Sequence, residues 1–355
     1  MKFTTATAIK NSVSLAAVFA GLAFMYQAPA ANAVLAQSQS TEVSEIIPGL
    51  EVDDHSDSRT EASTRLASQE ARAAQLAQWR YEVTHIMHRL NSLRNQKAEV
   101  GAWAKVYGAE MKGKRIFSKK IKAESVEVGA DKLLSGGWLT GASFSYTNID
   151  SDFIPGSVNT HSYSIAAYAS KLFASGAYVN LVARAGRLDS TVDMKYDCKG
   201  YYRNLALGVT GEVGYRKALT DTFYVMPRAG LSYSFILGDD YRTNNGVAIH
   251  QDNTESLIGR VGVVAGANFP HDKGGMYLAA TLNHDFMGKS EANATLKTGL
   301  NRHLSEDLGG TWVSYGVGAK YKATDNLSFY GTVSQSRGGK YKENYRYSVA
   351  AEFRW

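Results

Sequence analysis

Cysteine, proline and long apolar runs are all scarce in this 355-residue chain. Cys198 is the single cysteine, so no internal disulfide can form. It stands among Asp193, Lys195, Asp197 and Lys199, which reads as a hydrophilic loop. Five prolines beside 33 glycines and 21 tyrosines is not the composition of an ordinary soluble enzyme. Beyond the first 33 residues no run of 18 or more apolar residues appears, which excludes a helical membrane protein. The net charge of +6 comes from basic residues spread singly along the chain, with no clustered stripe. Nucleic acid is therefore not an expected partner, and the basic excess reads as a pore lining and outer loops. His250, His271 and His303 are scattered without metal-ligand spacing, so neither a metal nor a cofactor is expected.

The chain opens with an export signal. Lys2 and Lys10 give a basic start, Val13 to Met25 is mostly apolar, and Ala31-Asn32-Ala33 is a small-x-small cleavage site. The apolar stretch is shorter than the roughly 20 residues of a spanning helix. Residues 34–58 carry Glu42, Glu45, Glu51, Asp53, Asp54 and Asp57 with no basic residue, and read as disordered. A helix is expected over 59–97. Ser58-Arg59-Thr60-Glu61 is a capping box, and Leu76, Trp79, Val83, Ile86, Met87, Leu90 and Leu93 recur at helical spacing. Arg65, Glu70, Arg72, Arg80, Glu82 and Arg94 form its polar face.

From Glu99 to Trp355 the period changes to two. In the last segment Tyr345, Tyr347, Val349, Ala351, Phe353 and Trp355 oppose Arg346, Ser348, Ala350, Glu352 and Arg354. One such strand suits a soluble sandwich equally well. The pattern repeats, however, with Leu205, Leu207 and Val209 opposing Asn204, Gly208 and Thr210, and with Phe223, Val225 and Leu231 opposing Arg228 and Ser232. Charges and small polar residues always share the face opposite the apolar one, which is the lipid-out, polar-in code of an outer-membrane β-barrel.

About twelve strands are expected, beginning near Glu99, Ile121, Gly137, Asn159, Gly176, Tyr202, Asp221, Glu255, Gly274, Thr311, Asp325 and Asn344. Each runs about 10 to 14 residues. Short turns such as Lys132 to Gly136 alternate with long connections at Ala109 to Lys120, Asn148 to Val158, Leu188 to Tyr201, Ile236 to Thr254 and Gly288 to Gly310. Short periplasmic turns and long surface loops are the asymmetry of such barrels.

Gly101-Ala102-Trp103-Ala104-Lys105, Val128-Gly129-Ala130-Asp131-Lys132, Gly176-Ala177-Tyr178-Val179, Gly211 to Arg216 and Ile258 to Gly262 occur in order along this region. Together they resemble the translocator domain of autotransporters, most of all the serine protease autotransporters of enteric bacteria. The resemblance covers roughly Glu82 to Trp355. It implies an all-β, twelve-stranded antiparallel transmembrane barrel with an α-helix threaded through its lumen. It also implies type V secretion, periplasmic chaperones, and insertion by the barrel assembly machinery. That machinery recognises a final strand ending in an aromatic residue, matched here by Phe353 and Trp355.

Two departures stand out. Members of the family carry a large passenger, whereas residues 34–58 are too few for a protease or for stacked solenoid coils. No Gly-Asp-Ser-Gly-type nucleophile motif occurs either. In the protease subfamily the lumenal helix is cut between two asparagines just after a Glu-Val pair, one side-chain nitrogen attacking its own backbone carbonyl. Here Glu82-Val83 is followed by Thr84-His85, which offers no side-chain amide. Of the carboxylates the family places near this junction, Glu212 matches one, while Met226 and Gly230 stand where others are expected. Both changes point to an uncleaved protein.

Parity assigns Glu127, Arg184, Glu212, Arg228, Arg260, Lys320, Arg346, Glu352 and Arg354 to the lumen. They read either as a charged channel that holds the helix and attracts an acidic segment, or as paired side chains that merely fill the interior. His284-Asp285 lies at the outward end of a strand, where a surface hydrolase would activate water, yet a structural role fits the lone pair better. The leading expectation is a monomeric, non-enzymatic translocator or plugged barrel in outer-membrane lipid. The alternative is an adhesin or receptor binding a host or phage partner through surface loops near Tyr241 to Asn245.

Overall fold

The computed structural model describes residues 71–92, 100–113, 118–153, 156–194, 198–295, 299 and 301–355. The expected export signal, the acidic segment 34–58 and the capping box at Ser58 lie outside the described residues, as do both ends of the expected helix.

Twelve long strands pair antiparallel into one closed sheet. In chain order they are β1 (Val100–Gly113), β2 (Ser118–Leu133), β3 (Trp138–Phe153), β4 (Gly156–Leu172), β5 (Ala177–Met194) and β6 (Cys198–Tyr215). After the two-residue β7 (Lys217–Ala218) comes β8 (Phe223–Ile236), which leads into short β9 (Asp240–Arg242) and β10 (Ala248–Gln251). β11 (Thr254–Asn268) and β12 (Gly274–Asp285) return to the barrel, followed by short β13 (Lys289–Thr295) and β14 (Asn301–Asp307). β15 (Gly310–Lys322), β16 (Leu327–Gly338) and β17 (Tyr341–Arg354) finish the wall. Closure comes from β1 pairing with β17, with Gly101 opposite Arg354 and Val106 opposite Val349.

The period of two makes the barrel amphipathic in cross-section. Outward-facing Leu205, Leu207, Val209 and Val213 are 51–56% exposed, while Asn204 and Thr210 of the same strand are fully buried. A belt of apolar side chains this continuous is far larger than any soluble monomer exposes and suits hydrocarbon. Each long strand begins within four residues of its sequence expectation, the widest gap being Cys198 against Tyr202.

Above one end of the barrel the structure departs from the sequence reading. Strands β1 to β6 run on past their expected ends, so most of the expected loops 109–120, 148–158 and 188–201 is strand. The other two long connections fold as well: β9, β10, β13 and β14 form a separate four-stranded sheet in the order β14-β13-β10-β9. Between this surface sheet and the extended strands lies a hydrophobic core containing Phe153, Val192, Met194, Tyr202, Ile249 and Ala294. Cys198 belongs to that core and is fully buried, which corrects the expected hydrophilic loop. Charge misled there because Asp193 and Lys199 face outward, while alternate residues Val192, Met194 and Cys198 face in.

Inside the barrel runs a helix in two pieces, α1 (residues 71–84) and α2 (Ile86–Ser92), with a turn at His85. The His85 amide still donates to the Tyr81 carbonyl at 2.9 Å, so axial bonding crosses the break. The Thr84 hydroxyl bonds back to the carbonyls of Arg80 and Tyr81, both at 3.1 Å, a pattern that bends helices. By sequence the helix is amphipathic, but it is not half-solvated. Arg72, Gln75, Gln78, Glu82, His85 and Arg89 are as buried as Leu76, Trp79 and Val83.

Candidate functional site: the plugged lumen

The helix is held along its whole described length by groups on the inward face of the strands. Nearest the surface sheet, Arg72 donates to the Asp252 carbonyl at 2.7 Å and to Thr254 at 2.8 Å, and Gln75 reaches Ser190 and Asn204. One turn on, the Trp79 indole donates to the Leu207 carbonyl at 3.0 Å. Its ring lies so close to Gly186 that a Cβ there would meet it at 2.8 Å, and a Cβ on Gly208 would meet Val83 at 2.2 Å. Glycine at these two wall positions is what lets the helix approach β5 and β6. Arg80 pairs with Asp285 and donates to Ser256 at 2.8 Å, tying the helix to β11 and β12.

Deeper in the lumen the helix meets its main ionic cluster. Buried His85 contacts Glu127 of β2 and stacks on Tyr107, with ring centroids 4.3 Å apart. Glu127 also accepts from Arg184 at 2.6 Å and from Ser143 at 2.8 Å. Glu82 accepts from Ser162 and Ser164 of β4. At the other end Arg89 pairs with Asp131 at 2.6 Å and Glu352 at 3.2 Å, and its guanidinium lies 4.7 Å from the Trp103 ring centre. Arg354 bridges the same two carboxylates, and Lys320 reaches Glu352 at 3.4 Å. Because β17 and β1 are the last and first strands, this cluster spans the closure of the barrel.

The remaining inward charges lie on β17, β6, β8 and β11. Arg346 stacks over the Tyr81 ring at 3.5 Å and pairs with Glu343. Glu212 accepts from Tyr178 at 3.2 Å and lies 3.7 Å from Arg228, which also donates to Thr281 at 2.9 Å. Arg260 donates to Ser232 at 2.9 Å. Phe353 and Trp355 face outward at the barrel's end, ring centroids 5.8 Å apart, with Trp355 largely exposed.

Parity alone overlooked several groups that the helix uses, among them Asp285 and Trp103. Asp131 lies on the same face of β2 as Glu127, four residues on, so the signal was present. Lys105 and Tyr107 alternate with outward residues of β1, but an inward aromatic contradicts a rule that sends aromatics to lipid. Near Thr84-His85 the acidic neighbour is Glu127, while Glu212 bonds to Tyr178.

The His284-Asp285 pair does not converge. Asp285 points inward to Arg80 and Ser256, whereas His284 is exposed, bonds to Thr311 at 2.7 Å and packs edge-on against Phe286. Successive strand residues point to opposite faces, so the two cannot act on one water. Tyr241 is likewise not a presented loop residue: it is buried and stacked on Tyr202 at 4.8 Å.

A closed twelve-strand barrel with an apolar outer belt, filled by a helix bonded to its wall, defines a translocator-type barrel of the bacterial outer membrane. The profile of the family described as autotransporter beta-domain matches residues 102–334, and the chain belongs to that family. It is 27% identical over 292 residues to the pertactin autotransporter of Bordetella parapertussis, covering 78% of this chain and 31% of that protein. It is 26% identical over 282 residues to the serine protease EatA of Escherichia coli O78:H11, covering 77% of this chain and 20% of that one. The chain thus spans about a third or less of the curated relatives it matches. The fold agrees with the translocator domain of the autotransporter NalP from Neisseria meningitidis, with a TM-score of 0.69 at 13% identity, covering 81% of this chain and 99% of that one.

Proposed function

We propose that this chain is a type V translocator whose helix stays in the lumen, joined to the barrel, after the short acidic segment ahead of it has reached the cell surface. The observation that carries this reading is the Thr84-His85 junction. It offers no side-chain amide, and its imidazole is fixed between Glu127 and Tyr107. The inward charges, from Glu127 and Arg184 to Glu352 and Arg354, act as the socket for the helix. Phe353 and Trp355 serve as the signal to the barrel assembly machinery, with periplasmic chaperones delivering the unfolded chain. The test is intact-mass analysis of the heat-modifiable band from outer membranes. A single species extending N-terminal to residue 71 is expected; a barrel beginning anywhere within 71–92 overturns the reading.

A second reading is supported by the surface sheet β14-β13-β10-β9, which gives the loops a fixed shape suited to binding a host or phage partner. Deleting β13 and β14 together and measuring cell adhesion and phage sensitivity tests it. Unchanged values for both count against any receptor role.

A further inference from the structure

The helix does not fill the lumen evenly. Beside it, along β8, β11, β12, β15 and β16, lies a cavity of about 180 Å³, many times what one water needs. Part of its wall is made of small residues, Thr281, Ser314, Gly316 and Ser334. Its charged lining is predominantly basic, with Arg80, Arg228, Arg260, Lys340 and Arg346 against Glu212 and Glu343.

Two of these cations are accounted for. Arg80 has Asp285, and Arg346 has Glu343. Arg228 and Arg260 face the cavity with Glu212 as their nearest carboxylate, and Glu212 is already engaged by Tyr178. Arg260 has no ion pair among the described residues; its one hydrogen bond goes to the Ser232 hydroxyl. The Nε atoms of both arginines are buried and accepted by nothing among the described residues. Register places the two side by side: Arg260 pairs across to Gly230, and Arg228 to Gly262. Gly230 leaves the space over which the Arg260 chain lies, since a Cβ there would sit 3.3 Å from Arg260 Cγ. A guanidinium taken out of water without a counter-charge is costly, whereas planar guanidinium forks bind oxyanions through paired N–H bonds.

We propose that Arg228 and Arg260 form a lumenal binding site for an oxyanion group, a phosphate or a carboxylate. A small solute carrying such a group supplies it. Inorganic phosphate is the probe, titrated calorimetrically into the full-length chain in detergent against chloride at matched ionic strength. Saturable uptake near one phosphate per chain is expected, weakened at least tenfold in Arg260→Gln. Arg228→Gln repeats the test should Arg260→Gln lose the heat-modifiable band that marks the folded barrel. Absence of phosphate-specific binding, or equal binding by the wild type and both variants, overturns the site.

Discussion

The two halves of the lumen wall are built differently, although they belong to one sheet with one alternation. From β17 through β1 to β6 the inward face carries large and charged groups that grip the helix: Trp103, Lys105, Tyr107, Glu127, Arg184 and Glu352. From β8 to β16 it meets the helix at Thr254, Ser256 and Asp285 and buries Tyr224 and Met226, but it also leaves a cavity beside the helix, lined by small residues and two arginines that no carboxylate matches one for one. The first half is a continuous socket; the second holds the helix at those three residues and leaves a space beside it. Plugging therefore depends on a minority of inward residues, and a substitution should matter according to its half rather than its burial.

The largest expected effect is at Glu127. Replacement by Ala leaves Arg184 and His85 buried against each other without their carboxylate, and breaking such a buried pair typically costs about 3–5 kcal/mol. A fall of that size in the unfolding free energy, read from denaturant curves of the detergent-folded barrel, is the readout. A loss below about 1 kcal/mol would mean the cluster is relieved by water and the two halves are not distinct in kind.

Trp79→Ala should follow closely. It empties the contact with Gly186 and removes the bond to Leu207, and truncating a buried Trp costs about 3–5 kcal/mol. The complementary change, Gly208→Ala, puts a methyl where Val83 stands and should lower stability by about 1–3 kcal/mol. Combining Gly208→Ala with Val83→Ala should recover part of that loss, which a double-mutant cycle would show.

On the open half, Ser334→Ala should change stability by less than about 0.5 kcal/mol, because Ser334 lines the cavity without reaching the helix. A larger loss would show that the space is not empty of structure.

The smallest expected effect lies outside the membrane, in the surface sheet. The hydrogen bond from His250 to the Asp240 carboxylate holds its imidazole pKa above the ordinary value. A raised folded pKa stabilises the protonated state, so this support is complete below about pH 6.5 and fades as pH rises through the raised value. Amide exchange protection in β9 and β10 should therefore decline as pH passes from 6 to 8, after correction for intrinsic rates. His250→Gln should flatten that decline.

Much of the barrel was legible because alternation over a long strand is a strong, repeated signal. The start of β12 fell at Gly274 as expected, and Arg184 and Glu352 could be assigned to the inward face by counting from their neighbours. What parity could not say is which inward residues meet, because that depends on depth and on which strands face each other across the lumen. Glu127 meeting His85 and Arg89 meeting Asp131 join residues about forty positions apart through the fold, not through any spacing in the chain. The surface sheet was illegible for another reason. In β10 and β13 buried Ile249, Ala292 and Ala294 alternate with His250 and Asn293, a stretch too polar overall to be told from loop. Cys198 was misread on the same ground.

That buried thiol has one more consequence. As the chain's single cysteine, shut beneath the surface sheet, Cys198 can react with an alkylating reagent only when the structure over it opens. Its labelling rate is thus a clock for local opening at the outer mouth, read from one native atom, where the surface sheet and Ala71 of the helix share one core.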